Sequence, residues 1–121
     1  MVIKPIDDSV SFGYSNKLKT LYKKGKLPVK WDFYGESLTK KNVTLEHLLP
    51  RCQGGKTELS NLVLATANKN QERGIKPLEQ MLNWENAGRY LEQFRDVNLK
   101  EFNGNQYIQM ILNTIKKLLQ V

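Results

Sequence analysis

One cysteine, Cys52, is the only thiol in this chain of 121 residues, so neither an intrachain disulfide nor a Cys₄ zinc site can form. Histidine is equally scarce. His47 stands alone, and any chemistry near neutral pH that needs an imidazole must use it. There is no glycine-rich nucleotide-binding motif, no internal repeat and no low-complexity tract, which argues against ATP dependence. Long hydrophobic runs are missing as well: the most apolar stretch, from Tyr107 to Leu119, is interrupted by Gln109, Asn113 and Lys116-Lys117, so it is not a membrane span. The segment from Met1 to Asp8 has acids where a secretory signal would have an apolar core, and a cytoplasmic protein is the expectation.

What is present is positive charge. The net charge is +7 and the pI about 9.5, a balance that favours a polyanionic partner, because lysine and arginine gain affinity for phosphates by releasing condensed counterions. The excess is uneven: nine lysines face four acids before Glu46, so the N-terminal third is the expected electrostatic footprint. Within it, Lys17 to Lys26 reads as a short basic helix with Leu18, Leu21 and Tyr22 on one face and Gly25 as its stop. Lys19, Lys23 and Lys24 would then lie along a nucleic-acid backbone, giving affinity without sequence discrimination. A length of 121 residues with 40% hydrophobic content suits one core, and a single domain over residues 1–121 is expected.

The chemistry-bearing residues cluster between Val43 and Gly74. Val43 to Leu49 is β-rich and is stopped by Pro50; Gly54-Gly55 permits a turn; Asn61 to Ala67 reads as a second apolar strand. Asn68 or Asn70 is a plausible N-cap for a helix through Arg73, shortened by Gly74 and Pro77. Strand, loop, strand, helix can bring Glu46 and Asn70 to one point as oxygen ligands for a hard cation, which needs few protein ligands. His47 suits a general base taking a proton from water. The reaction this favours is phosphodiester hydrolysis, with Arg51, Lys56, Lys69 and Arg73 as candidate phosphate contacts.

Glu46-His47, Asn61 about fourteen residues on, and Asn70 opening a helix together resemble the HNH endonucleases, the ββα-metal family. The resemblance implies an α+β fold with a ββα-metal core over about 31–77 and a helical part over 78–121. It implies one divalent cation, Mg²⁺ or Mn²⁺ before Ni²⁺ or Zn²⁺, held by Glu46 and Asn70, with His47 as base and Asn61 pinning the loop. The family's usual first residue is Asp, and this chain has Glu46. Spacing favours Asn70 over Asn68 for the last position. Many relatives also hold a structural zinc with two Cys pairs; the matching places here are Trp31 and Tyr34, and Thr66 and Lys69. No structural zinc is expected, and Trp31, Phe33 and Tyr34 are expected to pack in its place. DNA is the implied substrate, RNA remaining open, in a bacterial or phage-infected cell.

After Pro77, Leu78, Met81, Leu82, Trp84, Leu91 and Phe94 recur at helical spacing with Gly88 weakening the middle. A final helix places Ile108, Ile111, Leu112, Ile115 and Leu119 on one face, as core against the motif or as a surface for a second copy or a larger protein. The alternatives to a nuclease are a nucleic-acid-binding module that keeps the fold without turnover, and a phage or mobile-element accessory protein.

Overall fold

The computed structural model describes residues 17–120. It opens on helix α1, over residues 17–23, whose Leu18, Leu21 and Tyr22 are buried as the spacing predicts. Gly25 then takes φ +75°, which stops the helix at no steric cost. Next comes a tight turn over 31–37, closed by a bridge between Trp31 and Ser37. Strand β1, Val43–His47, pairs antiparallel with β2, Leu62–Thr66, in the register Val43↔Thr66 to His47↔Leu62. Helix α2, Ala67–Arg73, follows without a break. Its N-cap is Thr66, whose hydroxyl accepts from Lys69 N at 3.1 Å, and not Asn68 or Asn70, both of which lie inside the helix.

The remainder is α3 (Leu78–Met81), α4 (Trp84–Glu92), a hairpin of β3 (Asn98–Leu99) and β4 (Phe102–Asn103), and α5 (Gly104–Leu119). The expected run from Leu78 to Phe94 is divided at Asn83, which caps α4 by accepting from Asn86 N; Gly88 sits within α4 unbroken. Trp84 is consequently turned outward, 52% exposed, and takes no part in the apolar face. The architecture is a mixed α+β fold, two small antiparallel hairpins flanked by helices.

A two-stranded sheet leaves the outer edge of each strand unpaired, and β2 is buried along its whole length. Unpaired backbone groups there would each cost about 1–3 kcal/mol. Four partners remove that cost. Asp32 Oδ2 accepts from Thr66 N (2.8 Å), Phe33 N donates to Leu64 O (3.1 Å), Tyr90 Oη accepts from Leu64 N (2.9 Å) and Tyr107 Oη donates to Leu62 O (2.7 Å). The two tyrosine hydroxyls also bond each other at 2.9 Å. With its proton on Leu62 O, Tyr107 is the acceptor, so a continuous relay runs from Leu64 N to Leu62 O. This is why α4 and α5 dock where they do. The core aromatic cluster of Phe33, Tyr90, Phe94, Phe102 and Tyr107 packs edge-on or tilted around these hydroxyls.

α5 is core against the motif. Tyr107, Ile111 and Ile115 are fully buried, and Thr114 Oγ1 donates to Ser60 O at 2.6 Å. Ile108, Leu112 and Leu119, expected on the same face, form its partly buried margin. No helix among the described residues is long and apolar enough to cross a membrane.

Candidate functional site

His47 ends β1, and the chain reverses through Leu48 to Asn61 before β2 begins. Asn61 shapes that loop from its base: its Oδ1 accepts from Leu49 N (2.9 Å), and its Nδ2 donates to Leu49 O (3.1 Å) and Lys56 O (2.9 Å). One buried amide therefore fixes both ends of the segment 49–56. The close turn inside it requires glycine at 55, where a Cβ would run into the Leu49 carbonyl. Arg51, Cys52 and Lys56 stand exposed on this loop.

The imidazole of His47 is half-buried, with Nε2 3.0 Å from Thr57 Oγ1. Burial, then the Arg51 charge, lowers its pKa below the usual imidazole value. The shift favours the neutral imidazole, one ring nitrogen of which is engaged by the Thr57 hydroxyl.

Glu46 has a different setting. Strand alternation turns Thr44 and Glu46 toward α2 and His47 to the other face. Glu46 is 4% exposed, and its Oε2 accepts from Tyr34 Oη (2.5 Å) and from Arg73 Nη1 (3.2 Å). Arg73 is 1% exposed and also donates to Lys76 O (2.8 Å), His47 O (3.2 Å) and Leu48 O (2.8 Å). It was expected on the phosphate-binding rim. Instead it is a buried tie between the end of α2 and the end of β1, because one helical turn after Asn70 puts it on the strand-facing side of α2. Burial raises the Glu46 pKa, the Tyr34 hydrogen bond and Arg73 opposing the rise. Burial also raises the Tyr34 hydroxyl far above its normal range, with the Glu46 charge adding to the effect.

Asn70 lies on the same side of α2 and donates through Nδ2 to Thr44 Oγ1 (3.0 Å) and Leu45 O (3.1 Å). Glu46 and Asn70 thus both lie between β1 and α2, while the His47 ring bonds Thr57; the three side chains do not share one hydrogen-bonded centre. The donor set, as arranged, does not fit a divalent cation. A dication drawn to the Glu46 carboxylate would share one negative charge with a guanidinium about 3 Å away, and the low-dielectric surroundings sharpen that repulsion. Among the described residues no group of three or more His, Cys, Asp or Glu side chains could hold a metal.

The turn over 31–37 is held by a carboxylate. Asp32 Oδ1 accepts from Tyr34 N (2.9 Å) and Glu36 N (2.7 Å), and Oδ2 reaches Thr66 N. Thr66 Oγ1 adds a 2.5 Å bond to Glu36 Oε1. Phe33 and Tyr34 pack inward as expected, but Trp31 does not: it is 37% exposed, with the Arg89 guanidinium over its ring. Asp32 and Thr57 were not picked out from the sequence, and Tyr34 was picked out for packing alone, not for its hydrogen bond to Glu46. Asp32 had a legible signal, since an acid inside a turn ahead of Gly35 commonly bonds backbone amides two residues on; Thr57 had none.

Of the remaining basic candidates, Lys23 and Lys24 are exposed and Lys19 partly so. Lys69 pairs with Glu72 at 3.3 Å on the surface. Compared with known proteins, the chain matches no family model, no curated protein and no solved structure.

Proposed function

We propose that this chain is a nucleic-acid-binding domain built on the ββα arrangement of the HNH endonucleases, in which the acid of the motif serves as the counterion of a buried arginine. The observation that carries this reading is the Asn61-pinned loop. It presents exposed Arg51 and Lys56 on the loop that follows a neutral imidazole, while Glu46 is locked to Arg73 behind it. Arg51 and Lys56 supply phosphate contacts there, and Lys19, Lys23 and Lys24 of α1 supply further cations for the backbone.

A second reading, hydrolysis of the phosphodiester, is favoured by the half-buried setting of the His47 ring, whose Nε2 lies 3.0 Å from Thr57 Oγ1 and whose pKa that burial lowers. A neutral imidazole with a hydroxyl partner can take a proton from water, as general-base catalysis requires. The resemblance would add a divalent cation, which Glu46 and Asn70 as arranged do not accommodate.

Supercoiled plasmid separates the two. Retarded migration without nicking, unchanged by EDTA and by His47→Ala, is the result expected of a binding domain. Metal-dependent relaxation lost in His47→Ala establishes the nuclease and requires Arg73 to release Glu46. Failure to bind plasmid or RNA at low salt removes both readings.

A further inference from the structure

The geometry points to a nucleobase-stacking site on Trp31, a binding position for an unpaired base of a single strand; this rests on the nucleic-acid reading above. Few large apolar side chains are exposed among the described residues, and the backbone under one of them, Trp31, is clamped by a side chain sixty-two residues away. Gln93, which caps the C-terminus of α4, clasps the backbone beneath it: Oε1 accepts from Lys30 N (2.6 Å) and Trp31 N (3.0 Å), and Nε2 donates to Trp31 O (3.0 Å). The bridge to Ser37 and the Asp32 carboxylate fix the rest of the turn. An indole mounted on such a frame has little backbone freedom to lose on binding.

The surroundings select the ligand. Arg89 lies 5.4 Å from the ring centroid, Lys30 is exposed next in sequence, and Lys40 and Lys41 are exposed just beyond the same turn. The turn's two acids are directed elsewhere, Asp32 into backbone amides and Glu36 onto Thr66. An aromatic ring beside a guanidinium, in a turn flanked by exposed lysines and with its own acids withdrawn, matches the stacking platforms that hold single strands, where each base supplies a π-face and the backbone supplies the charge. A duplex keeps its bases stacked on each other and offers this face only phosphates.

Trp31 and Trp84 are the two tryptophans of the chain, so Trp84→Phe leaves Trp31 as the sole reporter. We expect its emission to be quenched by a thymine single-strand oligomer and left unchanged by inorganic polyphosphate of similar charge. In the full chain, Trp31→Ala should weaken oligomer binding roughly 5- to 100-fold, and Trp31→Phe should recover most of it. If wild type binds the oligomer and Trp31→Ala binds it equally well, with Trp31 emission silent, the stacking site is wrong while the nucleic-acid reading stands, and the face is left for a protein partner. If wild type binds neither single strand nor duplex, the nucleic-acid reading itself fails and the stacking site with it.

Discussion

Replacing Glu46 by alanine should destabilise the protein severely, whereas loss of a metal ligand from an open site would be neutral or mildly stabilising. Among the described residues the Glu46 carboxylate is the one anion paired with the Arg73 guanidinium, which is 1% exposed, and it accepts the hydroxyl of Tyr34 at 2.5 Å. Alanine leaves both groups buried. Breaking one side of such a pair costs about 3–5 kcal/mol, because a charge stays uncompensated. Three backbone carbonyls still accept from Arg73, which keeps the loss within that range. With a urea slope of about 1.5 kcal/mol/M for a small domain, the unfolding midpoint should fall by about 2–3 M. Glu46→Gln, which keeps an acceptor and removes the charge, should lose less. Glu46→Met combined with Arg73→Met should recover much of the alanine loss, since apolar replacement of a buried pair is often close to neutral. An unchanged midpoint in Glu46→Ala would refute the reasoning. So would a wild-type midpoint that rises with Mg²⁺ or Mn²⁺ and stops responding in the variant.

His47, the only histidine, gives one resonance to follow by NMR, and its midpoint should lie below the usual imidazole value. A depressed folded-state pKa contributes stability above about pH 6.5, lost as pH falls through the folded value; His47→Gln should flatten that limb of the urea-midpoint profile. Asn61→Ala removes the three bonds that pin the loop and should cost about 2–4 kcal/mol, with the Leu49 amide exchanging faster in hydrogen-exchange measurements. Gly55→Ala should be poorly folded by circular dichroism, because its Cβ meets a backbone carbonyl that cannot move aside. Changing Lys19, Lys23 and Lys24 together to glutamine should lower the slope of log affinity against log salt by up to about 2.7 in duplex-binding titrations; an unchanged slope would take α1 out of the interface.

The elements around the motif were legible because their signals are local. Pro50 and Gly54-Gly55 bracket the loop, β2 is an unbroken apolar run, and Leu18, Leu21 and Tyr22 mark a helical face by spacing alone. The loop-pinning role of Asn61 came from the resemblance, and its three bonds to residues 49 and 56 agree with it. The electrostatic roles were not legible. A lysine or arginine in a basic chain looks the same on a rim or in a core until its helix is docked, so Arg73 read as a phosphate contact and Glu46 as a free ligand. The pairing depends on Tyr34 and on carbonyls of residues 47 and 48, which are brought together only by tertiary contact. Trp31 misled for a related reason: aromatic content suggests burial, and the Arg89 and Gln93 contacts that hold it at the surface come from some sixty residues away.

The Asp32 clamp joins a local turn to a distant strand. Its bonds to Tyr34 N and Glu36 N lie within the turn, but its third partner, Thr66 N, is 34 residues farther along. The turn over 31–37 and the β1–β2 hairpin therefore share one carboxylate, and loosening either strips a hydrogen bond from the other.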